Sequence, residues 1–239
     1  MAFPNATIPA MKRAPFLLLL SALLLAQATE VEITAEPHHH LVFSNDQIRV
    51  FNVEVPPSQA TLMHWHHHDY FYVTLGDIDL TNEVEGKPPA EVKLKDGETR
   101  FSPGPFAHLV RDLSPQPFRN VTIELMRDDK LRQSPAHWDE DRGLNVLQGG
   151  TREIIFVKDG VRVSEVELQP GGMIPAHHHS GPHFAVAVTD YQLRSDVAGK
   201  AAEKIEMKAG ESRWFAGNYS HTVTNVGHTP AKYVTLEFP

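Results

Sequence analysis

The chain contains no cysteine, which removes thiolate metal sites, disulfides and thiol nucleophiles together. Basic residues are scarce as well, 22 Lys and Arg against 30 Asp and Glu for a formal net charge of −8. They form no cluster, so a phosphate backbone finds no matching surface and a nucleic-acid partner is not expected. Also missing are a nucleophile elbow, a phosphate loop, a dinucleotide fingerprint and any long amphipathic helical period. The main apolar stretch, Ala14 to Ala26, is too short for a comfortable membrane span. What remains for chemistry is imidazole, carboxylate and hydroxyl, and imidazole is plentiful at 15 histidines in 239 residues.

That apolar stretch has the layout of an export signal. Lys12 and Arg13 precede it, and Ala26-Gln27-Ala28 offers small residues for cleavage. Residues 1–28 are expected to be a signal peptide, with Met11 as an alternative start. The mature chain would begin near Thr29 and work in a periplasm or outside the cell, with no stable membrane anchor. The 18 prolines and 15 glycines suit many short elements separated by turns, and the expected fold class is all-β.

The two halves align without a gap at a constant offset of 113 residues, from Phe43–Leu125 onto Phe156–Phe238, with about a third of positions identical. Arg49, Val50, Val53 and Glu54 recur as Arg162, Val163, Val166 and Glu167. His64, His66 and His108 recur as His177, His179 and His221, and Glu124 as Glu237. Within each copy the residues alternate with the period of a strand, as in Ile48 to Val55 and Val161 to Leu168. The expected organisation is one domain over 29–126, a polar linker over 127–150 with a short helical turn around His137 to Asp141, and a second domain over 151–239.

Alternate residues of a strand share a face, so His64 with His66, and His177 with His179, can each aim two imidazoles into one cavity. In the second half His183 and His221 are placed to complete a set of four; Tyr70 and His108 occupy the equivalent positions in the first half. These residues resemble the cupin superfamily, whose first motif reads G-x5-H-x-H-x3 or 4-E-x6-G and whose second reads G-x5-P-x-G-x2-H-x3-N. Gly171, His177 and His179 fit the first motif, and Gly210, His221 and Asn225 the second. His183 stands in place of the family glutamate, Asp190 in place of a glycine, and Ala216 and Asn218 in place of Pro and Gly. In the first half His64, His66, Gly97, Pro103 and His108 fit, while Ser58, Tyr70, Pro105 and Asp112 depart.

The resemblance implies two tandem cupin barrels, each a double-stranded β-helix or jelly roll. It also implies a divalent metal ion held by His177, His179, His183 and His221, with a weaker site at His64, His66, Tyr70 and His108. Imidazole suits Fe, Mn, Ni, Cu or Zn, so ligand type alone does not choose the ion. The expected activity is metal-dependent chemistry on a small organic molecule, either dioxygenase-like or a lyase or isomerase reaction by Lewis-acid polarisation. The alternatives are a small-molecule or metal-binding module without turnover and a structural or storage protein. A homo-oligomer is compatible with either. The run His38-His39-His40 reads equally well as a polar, solvent-facing entry segment or as metal recruitment. Trp65, Phe71, Phe106, Phe184, Trp214 and Tyr219 are candidates for lining a pocket or for filling a core.

Overall fold

The computed structural model describes residues 30–133 and 138–239; the expected signal peptide, its cleavage point and His137 lie outside them. Strands dominate. In the first half they form two five-stranded sheets. One runs in the order Val31–Glu32, His64–His66, Phe106–Asp112, Ile78–Val84, Ala90–Leu94; the other runs His39–Ser44, Ile48–Val55, Phe118–Leu125, Tyr70–Thr74, Thr99–Ser102. The second half forms one eight-stranded sheet, all of it from residues 143–237. The two histidine-bearing barrels are thus sequence-local, and the fold is all-β with two tandem cupin-type barrels. The connector expected over 127–150 carries its helix at Asp128–Gln133, not at the expected turn, whose described residues Trp138 to Asp141 are non-helical, and the strand Gly143–Lys158 begins within the connector.

One difference between the halves lies in the strand that flanks the corner. In the second, a single strand, Val161–His179, pairs along 162–168 with Ala231–Glu237, bends at a bulge, and pairs along 173–179 with Tyr219–Asn225. In the first, the same path is two strands, Ile48–Val55 and His64–His66. The turn itself is common to both, since Pro57 corresponds to Pro170 and Ser58, at φ 64°, to Gly171, at φ 78°. What differs is the flanking strand: Gly143–Lys158 pairs on both sides of the corner, Gly150 with Leu168 and Gln148 with Met173, so the ladder continues there, whereas His39–Ser44 pairs with its neighbour only as far as Val53.

Alternation along strands such as Ile48–Val55 predicts one buried face; they bury two. Phe51, Val53 and Val55 point into the first barrel with Ile33, Leu80 and Phe118. Ile48 and Val50 point the other way, into a core shared by both barrels. That shared core pairs residues 113 positions apart: Ile48 with Val161, Val50 with Val163, Phe71 with Phe184, Val73 with Val186, Leu75 with Val188, Val121 with Val234, Ile123 with Leu236 and Leu125 with Phe238. The barrels therefore meet back to back about a pseudo-twofold axis. Phe43 reaches across to Phe184 at 6.2 Å between ring centroids, and Phe156 reaches back to Phe71 at 6.1 Å. Two positive-φ glycines mark the closest approaches. A Cβ on Gly97 would meet Lys232 and Val188, and one on Gly210 would meet Leu75.

Candidate metal centres

In the second barrel His177 and His179 share a face of their strand, and the antiparallel register sets His221 directly opposite His177. Their Nε2 atoms form a nearly equilateral triangle, 3.1 Å for His177 to His179, 3.2 Å for His179 to His221 and 3.1 Å for His221 to His177. Each ring's other nitrogen faces a hydrogen-bonding oxygen. Nδ1 of His177 lies 2.9 Å from the Pro175 carbonyl, that of His221 2.8 Å from Ser195 Oγ, and that of His179 3.2 Å from Glu237 Oε1. A carbonyl and a carboxylate can only accept, so His177 and His179 carry their protons on Nδ1 and turn bare Nε2 lone pairs toward one another. Converging lone pairs call for a cation. Metal–imidazole bonds of about 2.0–2.1 Å on one face of a tetrahedron or octahedron span N···N edges of about 2.9–3.4 Å, and the observed triangle fits.

Glu237 is itself held. Arg162 and Arg152 donate to its Oε2 at 2.8 and 2.9 Å. Burial opposes its ionisation, but the hydrogen bonds from His179 and Arg162 and the nearby guanidinium charges outweigh that and hold its carboxyl well below the usual range. Burial is the first cause lowering His177, and it pushes His221 down to about 3 with the help of its neighbouring imidazoles. Both rings are therefore neutral near neutral pH, the form that ligates.

His183 was expected as the fourth ligand, but it does not join the triangle. Its ring lies flat on His179, 3.9 Å between centroids at 18°, and flat under Phe215 at 4.8 Å and 9°. Strand register sets it opposite Phe215, which fixes the stack, and burial pushes it down to about 3. Its Nδ1 is buried without a partner among the described residues. Tyr70, at the equivalent place, does the same, stacking on His66 at 4.1 Å and 20°. Burial pushes its phenol upward, so it stays protonated and is a poor ligand.

The first barrel repeats the triangle of rings. Centroids are 5.1 Å apart for His64 and His66, 4.6 Å for His64 and His108, and 5.0 Å for His66 and His108. The outer partners recur at the same offset of 113: the Leu62 carbonyl 2.8 Å from His64, Glu124 3.2 Å from His66 and Asn82 2.8 Å from His108. Arg49 donates to Glu124 at 2.9 and 2.6 Å. Burial leads the causes that push His64 down to about 3 and that lower His66 and His108. Nε2 of His64 is buried with no partner among the described residues, the orphan that an ion would satisfy. These outer partners were not singled out from the sequence, although the identity of Glu124 and Glu237 across the repeat was the available signal. His39 is the other surprise. Far from facing solvent, it is buried, and one nitrogen each of His39, His64 and His66 lie within 4.8 Å of one another.

The two barrels differ in the space beside their histidines. In the second, a cavity of about 300 Å³ opens onto all four histidines and is lined by apolar side chains, among them Ile174, Leu193, Ile205 and Phe215, and by polar ones that include Arg152, Lys200, Glu203 and Tyr219. In the first it shrinks to about 130 Å³. Of the aromatic candidates, Phe71, Phe184 and Trp214 belong to the shared core and Tyr219 to the cavity. Trp65 turns away, stacking on His67 and donating to Glu30.

Comparison with known proteins agrees with this architecture. A cupin domain model matches residues 164–237. A solved variant of oxalate decarboxylase from Bacillus subtilis superimposes with a TM-score of 0.59 at 13% identity, covering 81% of this chain and 69% of that one. The formate complex of oxalate decarboxylase from Lactobacillus farciminis gives 0.60 at 14%, covering 82% and 78%. No curated protein matches in sequence. Residues 164–237 thus match a cupin domain, the whole chain has the fold of two tandem cupin-type barrels, and its histidine clusters could each hold a divalent metal ion.

Proposed function

We propose that the second barrel is the working site of a metal-dependent enzyme, with one divalent ion held by His177, His179 and His221. The observation that carries this is the Nε2 triangle of 3.1–3.2 Å, its rings held from behind and its open side facing a cavity. Three protein ligands leave coordination positions free for substrate, and a bound ion would supply Lewis-acid polarisation or oxygen chemistry there. Arg152 spends one N–H on Glu237 and leaves the rest of its guanidinium to meet an anionic group in the cavity. Burial pushes the phenol of Tyr219 up to about 12, so at the cavity wall it acts as a neutral hydrogen-bond donor. A small, largely apolar molecule with one carboxylate or enolate suits this lining better than a two-carbon diacid, which would leave most of the apolar wall uncovered. The reaction class is dioxygenase-like, or a lyase or isomerase step on such a substrate. The test is metal content and turnover of the wild type against His179→Ala, purified without an affinity tag from metal-replete medium. Loss of about one ion per chain together with all turnover is expected. Unchanged content would overturn the assignment, and bound metal without turnover across carboxylates and phenols would favour a binding module.

We also propose export. Lys12-Arg13, the apolar stretch and Ala26-Gln27-Ala28 support it, and among the described residues no helix is long and apolar enough to cross a membrane. N-terminal sequencing from the native host should begin near Thr29; an intact chain in the cytosol would count against it.

A further inference from the structure

The two barrels diverge at one corresponding position of their metal sites. His39 pairs with Val53, and Arg152 pairs with Val166; both partners and both residues are 113 positions apart. The same place beside the histidines therefore carries an imidazole, which can ligate, in the first barrel and a guanidinium, which cannot, in the second. We propose that the first barrel holds a second, closed and structural metal ion, with His39 from the N-terminal strand as an added ligand beside His64, His66 and His108.

Three observations carry this beyond the four positions the sequence suggested. His39, His64 and His66 each offer a nitrogen within 4.8 Å of the others, and the ring of His39 lies 4.5 Å from that of His64. His39 is also held as a ligand is held. Its Nδ1 is 2.6 Å from Glu36 Oε2, so Nδ1–H donates to the carboxylate and Nε2 is left bare, as Glu124 does for His66. Glu36 is 2% exposed and is fixed by the backbone N–H groups of His38 at 2.8 Å and Leu62 at 3.1 Å. Finally, the site is tighter. His64 and His66 are 0% and 1% exposed, and the adjoining space is under half that of the second barrel. Closed sets of four protein ligands are the pattern of structural ions, and three ligands with an open corner that of catalytic ones. An ion here would also tie down the N-terminal segment, whose Val31–Glu32 strand lies parallel to His64–His66.

The experiment isolates the first barrel in the full chain by using His179→Ala as background. Metal-free protein is titrated with Zn(II) and, separately, with Co(II). The His179→Ala protein should bind about one ion per chain, gain thermal stability with Zn(II), and show the intense visible bands of four-coordinate Co(II). Adding His39→Ala should weaken binding about tenfold or more and replace those bands by the weak ones of a higher-coordinate, hydrated ion. Glu36→Gln, which keeps all four imidazoles, should give a smaller loss of affinity. If folded His179→Ala protein binds no metal, or binds Co(II) with the same affinity and spectrum with and without His39, the proposal fails. A wild type that binds a single ion, lost with His39→Ala and kept with His179→Ala, would sustain this proposal and sink the reading of the second barrel.

Discussion

Histidine protonation couples these sites to stability. Burial pushes His64, His183 and His221 from an ordinary value of 6.5 down to about 3. An unfolded chain takes up those protons near pH 6.5, the folded one only near 3, so between the two values the unfolded state binds more protons and stability rises with pH. Glu237 acts in the same direction lower down, because its unfolded form protonates near 4.5 while the folded carboxylate persists below that. Metal-free protein should therefore lose melting temperature steadily as pH falls from about 6.5 toward 3, followed by scanning calorimetry at constant ionic strength. A flat profile from pH 6.5 to 4 would show that these rings are already charged in the fold. Strand spacing made His64, His66, His177 and His179 readable as pairs. The stacking of His183 and Tyr70 was not readable, because it depends on which ring the neighbouring strand presses against each.

Among the elements, the long strand Val161–His179 does most to build the second site, since it carries two of the three ligands across the corner at Gly171 and Gly172. Its neighbour Gly143–Lys158 crosses there with little room. A Cβ on Gly172 would lie 2.3 Å from the Gly149 carbonyl oxygen and 2.8 Å from that of Gln169, and backbone atoms cannot yield as a side-chain tip can. Gly172→Ala should cost about 2–3 kcal/mol and also lower metal occupancy of the second barrel, because the displaced strand carries His177 and His179. Denaturant titration with metal analysis checks both. Full occupancy with a shifted midpoint would mean that the corner and the site move independently. Gly171 was visible in the sequence as a motif glycine; that one strand runs through it follows from pairing with Gly143–Lys158 on both sides of the bend.

At the scale of the molecule the barrels share a core, so neither half buries its own outer face. Phe184 and Phe71 are each fully buried and belong to that shared core. Phe184→Ala should destabilise the protein by about 3–5 kcal/mol, and calorimetry should still show one transition, with both barrels melting together. Two resolved transitions, with only the second barrel shifted by the substitution, would show that the interface contributes little to cooperativity.

The sequence by itself determined the all-β class, the duplicated unit and the histidine pairs, because strand alternation and a gapless repeat are local properties written along the chain. Only the tertiary structure decided that the second face of Ile48–Val55 is also buried, that Glu124 and Glu237 stand behind the histidines, and that His39 lies beside His64 where Arg152 meets Glu237. Each of these depends on which strand lies beside which. Pairing of that kind brings together groups as far apart as His66 and Glu124, and alternation along one strand specifies the face a residue takes but not the neighbour it meets there.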